Sequence, residues 1–364
     1  MSKKISRPSP KVLIMSGGKG TRMWPISSMA HPKQFESILG KKSMFRETVE
    51  RVLKGFSPED VFVATSEAYK SHITSQAPEI PPRNFIFEPA MRDNLGALGL
   101  AAGLINKRHP GSTMIIIWGA DHVVKNAPLF LKALKTAGEL ASKNDVIVHV
   151  DTVPNYPTVH NGWIEIGAEL GEVDGLKLFE FIHQVEKPSL QLAKDFYASK
   201  KYLIHTGYMA TKPELFLKYY QTHAPETYAI IQKIVDSEGT KDFDAVLRRE
   251  YPKFEKISVD YGLFEKLPPK TQWELPADFG WIDVGTWELL YHGLDKDENG
   301  NVIIGDATAL DTRNSLIIGK TGGKIGVIGM NSTIVVETNE GLLVSPLEDA
   351  PKVKELYTNL YEKD

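Results

Sequence analysis

The chain has 364 residues, no cysteine, and 43 basic against 46 acidic side chains, a formal net charge of −3. Without thiols, a disulfide scaffold, a zinc–thiolate centre and a cysteine nucleophile are excluded; the near-balanced charge argues against a nucleic-acid sleeve or a membrane-surface protein. No window approaches the ~18 uninterrupted apolar residues of a membrane span, and the opening MSKKISRPSPK lacks the apolar core of a secretory signal. A cytoplasmic chain with one large and one small domain is therefore expected.

Residues 1–10 carry two prolines and scattered Lys, Ser and Arg with nothing to bury, and read as a flexible tail. Val12 to Met15 form an apolar run that suits a short buried strand, and Ser16, Gly17, Gly18 and Gly20 follow at once. A strand opening into such a turn exposes several backbone N–H groups on one side, because glycine curls without a Cβ clash. That concavity suits anions, phosphates above all. Thr21, Arg22 and Lys33 follow it, and the last two supply the positive charge that amides lack. The string fits neither G-x-x-x-x-G-K-[ST] nor G-x-G-x-x-G, so the P-loop and the dinucleotide fingerprint do not apply.

Further along, Ser43 to Lys54 places Met44, Phe45, Val49, Val52 and Leu53 at helical spacing. Val61–Ala64, Phe85–Phe87, Met114–Trp118 and Asp145–Val150 read as strands, with helices over 94–105 and 129–142 between them. This alternation predicts parallel pairing in a three-layer α/β domain, whose ligands bind at the carboxyl ends of strands. The glycine turn, Glu88 and Asp121 each lie just past a strand end and can converge there. From about 155 the pattern changes: 162–167, 179–185 and 202–210 read as strands, and 213–220, 225–237 and 243–250 as helices. Asp295–Asn301 is the best linker; its D-x-[DN]-x-[DN]-G start lacks the closing Glu and flanking helices of a calcium loop, so a solvated turn is expected. Short strands at 302–304, 315–319, 324–328, 333–337 and 341–345 suggest a small all-β coil. Asp349 is placed to cap a final helix carrying Val353, Leu356, Tyr357 and Leu360 on one face.

Gly-Gly-x-Gly-Thr-Arg at Gly17–Arg22, Trp24-Pro25 and Pro32-Lys33-Gln34-Phe35 together resemble the signature of sugar-nucleotidyltransferases, and the last two point to the mannose-1-phosphate guanylyltransferase branch. The resemblance spans about residues 11–350. It implies an α/β fold: a Rossmann-like three-layer nucleotidyltransferase domain of glycosyltransferase-A type over 11–294, then a small left-handed β-helix-like cap with a C-terminal helix over 295–364. Many bacterial relatives continue into a fused isomerase domain; ending at Asp364, this chain is expected to lack that activity. The implied reaction joins GTP and α-D-mannose 1-phosphate to give GDP-mannose and pyrophosphate, with Mg²⁺ as cofactor, and leaves a homodimer open. Two alternatives stand beside it: another hexose or heptose 1-phosphate or another NTP, and a regulatory subunit that binds a sugar nucleotide without turnover.

Nucleotidyl transfer moves negative charge onto departing pyrophosphate, and a metal held by one or two carboxylates neutralises it. A lone Asp at a strand end is ordinarily a turn former or cap. Asp121 in Ala-Asp-His and Asp283 in Gly-Trp-x-Asp-Val-Gly-x-Trp match the places where the resembled family keeps its metal ligands. Arg22 and Lys33 take the catalytic positions, and Ser16, Gly17, Gly18, Gly20, Thr21, Glu88, Arg92 and Asn94 the remaining nucleotide-binding ones. Guanine offers N1–H and a 2-amino group side by side, which a carboxylate at Glu88 can accept. On the sugar side the resemblance implies Gly162, Glu186, Lys187, His205 and Asp260. Three stretches depart from the family pattern: 92–96, 159–163 and 205–207. The last two lie on the sugar side, so the reaction class is better marked than the sugar.

Overall fold

In the computed structural model, which describes residues 8–18, 20–29 and 31–361, the first apolar run becomes the strand Lys11–Met15, buried along its length. The first seven residues of the expected tail lie outside the described ones. The chain divides into two compact units. One comprises the described residues up to Gly17, Arg51–Gly119 and Lys125–Gly280; the other comprises Gly18–Glu50, Ala120–Val124 and the chain from Trp281 onward.

The first unit is built on one ten-stranded sheet, in the order Phe85–Glu88, Val61–Ser66, Lys11–Met15, Met114–Trp118, Met209–Thr211, Ile147–His149, Gln272–Glu274, Leu176–Val185, Trp163–Val173 and Tyr202–Ile204. The first four pair in parallel, as continuous apolar runs covered on both faces should. Parallel pairing does not extend across the sheet. Met209–Thr211 runs antiparallel to both Met114–Trp118 and Ile147–His149, so the sheet is mixed.

The stretch 202–210 is not one strand. Tyr202–Ile204 lies at the sheet edge beside Trp163–Val173, and Met209–Thr211 lies inside the sheet. Gly207 makes the crossing between them: it takes φ +76°, and a Cβ there would fall 2.5 Å from Trp118 Cβ. Beneath the sheet, the helix Asp93–Arg108 is buried on almost every face because its small residues admit close neighbours. It packs in one cluster with Phe216, Tyr220, Ile231 and Phe254.

In the second unit, His122–Val124 and Trp281–Asp283 form a two-stranded antiparallel ladder. Beyond Asn301 the chain coils. Val302–Ile304, Leu316–Gly319 and Thr333–Thr338 stack in parallel, Gly341–Pro346 closes the stack antiparallel, and Ala307–Leu310 with Ile325–Ile328 forms a second parallel ladder. The first two circuits each give one strand to each ladder, the pattern of a β-helix, and the third closes it with a hairpin. Asp297 Oδ1 accepts from the backbone of Asn299 at 3.0 Å and Asn301 at 2.7 Å, so the 295–301 segment is a self-satisfied turn.

Inside this coil, Leu316, Ile318, Ile334, Val336 and Leu343 share a core with Met23, Trp24, Ile26, Trp287 and Tyr357. Trp287 Nε1 donates to Trp24 O at 3.0 Å, and Met29 N donates to Tyr357 Oη at 3.1 Å. The end differs from expectation. Asp349 lies inside the 3₁₀ turn Leu347–Lys352, and the helix begins at Val353. Val353 and Tyr357 are buried, whereas Leu356 and Leu360 are 39% and 52% exposed, because one turn of contact is all the coil offers.

Candidate active site

In the second unit the glycine turn leads into the 3₁₀ turn Thr21–Met23, with Gly18 and Gly20 at φ +104° and +68°. Gly20 has a second reason to lack a side chain: a Cβ would stand 2.8 Å from Lys33 Cγ. Its carbonyl accepts from Ser27 Oγ at 2.5 Å, and Gly18 O accepts from Gln34 Nε2 at 3.4 Å, so the turn is tied from both sides. Arg22 is exposed, and among the described residues no carboxylate pairs with it.

Lys33 reaches into the same unit. Its Nζ lies 2.5 Å from Asp121 Oδ2 and donates to Val284 O at 3.1 Å. Burial works to raise the Asp121 pKa, but the charges of Lys33 and His122 outweigh it and hold the carboxyl below its ordinary range. Asp283 stands opposite His122 in the ladder, one residue from Asp121. The two acids, more than 160 positions apart in sequence, are thus brought to paired segments, with the Lys33 ammonium against Asp121. Two carboxylates offer the hard oxygen donors that a divalent cation such as Mg²⁺ takes, and in this structure Asp121 is paired with the Lys33 ammonium.

In the first unit, Ser16–Gly17 and Glu88 leave the same carboxyl edge of the parallel strands. Ser16 Oγ is buried with no hydrogen-bond partner, while Ser16 O accepts from Thr65 Oγ1 at 2.7 Å. Glu88 Oε2 accepts from Tyr251 Oη at 2.7 Å. Burial pushes the Glu88 carboxyl up to about 7 against the opposing effect of that bond. Arg92 precedes the helix Asp93–Arg108 with its Nε buried and unpartnered. Asn94 Oδ1 is engaged by Val259 N at 2.6 Å, which pins the segment to the short helix bearing Asp260.

The sugar-side residues also gather in this unit. Gly162 O accepts from His205 N at 2.9 Å, and a Cβ on Gly162 would lie 2.7 Å from Glu186 Oε2, so a larger residue would push that carboxylate aside. Lys187 takes φ +48° and turns its ammonium onto Glu186 Oε1 at 2.6 Å. Asp260 Oδ1 accepts from Gln184 Nε2 at 3.3 Å. His205 Nδ1 lies 3.2 Å from Asp151 Oδ2. Burial would lower the His205 pKa, but Asp151 outweighs it and the imidazole rises to about 9.

Asp151, His149, Gln272, Glu274 and Tyr251 do not stand out in the sequence. One signal was available: His149 and Asp151 are two apart at a strand end, hence on one face.

A nucleotidyl transferase family model matches residues 11–300, and a mannose-phosphate isomerase/GMP-like β-helix domain model matches residues 305–360. The mannose-1-phosphate guanylyltransferase RfbM of Salmonella typhimurium is 31% identical over 356 residues, 97% of this chain and 72% of that protein. A mannose-1-phosphate guanylyltransferase of Sinorhizobium fredii is 28% identical over 96% of this chain and 68% of its own. A Thermus thermophilus crystal structure, described as a mannose-1-phosphate geranyltransferase, superposes with a TM-score of 0.85 at 26% identity, covering 96% of this chain and 99% of the other. Among the described residues no helix is long and apolar enough to cross a membrane. With a nucleotidyl transferase model over most of its length and a β-helix model over the remainder, this chain belongs to the nucleotidyl transferase family, in its mannose-1-phosphate guanylyltransferase branch.

Proposed function

We propose that the chain transfers a guanylyl group from GTP to α-D-mannose 1-phosphate, giving GDP-mannose and pyrophosphate in the cytoplasm with Mg²⁺. The observation that carries the reading is the Lys33–Asp121 pair beside Asp283, set against a glycine turn shaped to leave Lys33 room. A phosphate oxygen of the sugar phosphate attacks the α-phosphorus of GTP in line; the new P–O bond forms as the bond to the β-phosphate oxygen breaks. No covalent enzyme intermediate is needed, so positioning and charge stabilisation carry the rate.

In this reading the amides of residues 16–18 and 20–21, together with Arg22 and Lys33, hold the triphosphate and stabilise charge on its oxygens. Glu88, its carboxylate oriented by Tyr251, accepts from guanine N1–H and the 2-amino group, flanked by Arg92 and Asn94. Glu186, Lys187, His205 and Asp260 place the sugar phosphate against the backbone at Gly162. Asp121 and Asp283 would hold the Mg²⁺, which when bound neutralises the departing pyrophosphate.

The deciding experiment is a panel of nucleoside triphosphates and sugar 1-phosphates scored by pyrophosphate release. GTP with mannose 1-phosphate is expected to give the highest kcat/KM. A different sugar 1-phosphate is the second reading, favoured by the imidazole of His205 where the family's asparagine is expected. Glu88→Gln should weaken the preference for GTP over ATP; an unchanged preference removes Glu88 from guanine recognition.

A further inference from the structure

His149, Asp151, His205 and Glu274 form a buried group of ligand-type side chains that the reading above uses only through His205. Their placement follows from the sheet. Glu274 is the ladder partner of His149, so both project from one face, and Asp151 follows two residues after His149. Leu275 N donates to His149 O and Ala277 N to Asp151 O, each at 2.9 Å, which fixes the two segments side by side. The isolated bridge Thr152–Ile204 brings His205 to the same place. One donor atom from each of His149, Asp151 and His205 lies within 4.8 Å of the other two. Ligands ~2.0–2.2 Å from a shared ion stand at most ~4.4 Å apart, so this spacing lies at the outer edge of a coordinating group and needs only a small closing.

Among the protein's own described groups the polar accounting does not close. His149 and Glu274 are 1% and 0% exposed, yet His149 Nδ1 and both carboxylate oxygens of Glu274 have no hydrogen-bond partner. Buried polar atoms are almost always paired, and an unpaired carboxylate in such a site is costly. Asp151 already accepts from Thr206 N at 2.7 Å and from His205, and offers Glu274 no donor of its own. A proton shared between the two acids would satisfy one Glu274 oxygen and leave the other, and His149 Nδ1, bare. Gln272 Oε1 sits 2.9 Å from His149 Nε2 and accepts its proton, which turns the Nδ1 lone pair inward. An acceptor behind a histidine in this way is the usual outer support of a metal-binding imidazole.

We propose that His149, Asp151, His205 and Glu274 bind one divalent transition cation of the zinc class. Two imidazoles with two carboxylates select such an ion over Mg²⁺ or Ca²⁺, which prefer all-oxygen shells. One ion held by His149, Asp151 and His205 would engage His149 Nδ1 and, with Glu274 drawn in from beside Asp151, one of its bare carboxylate oxygens. At His205 it would replace the Nδ1 proton now shared with Asp151, which is released to solvent on binding. The site shares no residue with the Asp121–Asp283 pair and stands whether or not guanylyl transfer is the reaction.

The test uses the full chain stripped with a strong chelator, then dialysed against Zn²⁺ or Co²⁺ in the presence of excess Mg²⁺. One retained equivalent of zinc, by elemental analysis, is expected in the wild type and in Asp121→Asn, and its loss in His149→Gln and Glu274→Gln. Co²⁺ should give visible d–d absorption that these two variants lack, and Zn²⁺ should raise the thermal midpoint of the wild type but not of His149→Gln. A wild-type chain that retains no zinc or cobalt overturns the proposal even if neither variant folds. So does retention that survives both His149→Gln and Glu274→Gln.

Discussion

Glu88 is held where its protonation matters. Burial raises its carboxyl from 4.5 to about 7, so between these values the folded chain keeps a proton that the unfolded chain releases. The stabilising contribution is complete below pH 4.5 and lost as pH rises through 7. Thermal midpoints measured from pH 5 to 8 should fall in the wild type more steeply than in Glu88→Gln. GTP affinity should run the other way, rising through the same window as the carboxylate becomes able to accept from guanine. Lys33→Ala should lower kcat by ~10²–10³-fold with native circular dichroism, since it removes charge where pyrophosphate departs; near-normal turnover would remove Lys33 from the mechanism. Gly20→Ala tests the same group indirectly. The new methyl meets Lys33 Cγ at 2.8 Å, so kcat should drop while KM for the sugar phosphate holds. Lys33, Asp121 and Asp283 were legible as residues the fold brings together, whatever part they take in turnover, because short strings of glycine and aromatic residues mark them. Asp151 and Glu274 were not, because a buried acid takes its meaning from the strand beside it, and three-residue strands leave no periodicity to read.

Among the elements, the long apolar runs and amphipathic helices lie where their patterns place them. The failures share a cause. Residues 202–210 alternate like one strand, yet Gly207 turns the chain from the sheet edge into its interior, and a single glycine does not announce which. Gly207→Ala should cost ~1–3 kcal/mol by denaturant titration, because it combines φ +76° with a 2.5 Å approach to Trp118. The strand Ala307–Leu310 does not stand out between its neighbours, since half of its residues are exposed and it pairs with the short strand Ile325–Ile328. The terminal helix buries a narrower apolar face than its sequence suggests for the same reason: exposure of Leu356 and Leu360 is decided by where the coil stops.

At the scale of the molecule, sequence order and structural grouping part company. Residues 18–50 belong with the C-terminal coil in one core, although some 250 positions separate them. The contact that joins them is hydrophobic and carries no local signal, so a cut near 295 is where a linear reading divides the chain. A chain truncated after residue 300 should therefore fail to fold its glycine turn; recovery of a soluble, GTP-binding fragment by calorimetry would contradict this. Leu316→Ala, in the middle of that core, should cost ~2–5 kcal/mol.

Trp24 is clasped by the coil: its carbonyl accepts from Trp287, and Gly341 lies so near its ring that a Cβ would come within 2.9 Å of Cζ2. The indole belongs to the same short segment as Arg22, so a lesion in the last eighty residues has a direct route to turnover. Temperature-sensitive alleles isolated between positions 316 and 343 should reveal themselves in the assay first, losing pyrophosphate release several degrees below the onset of melting.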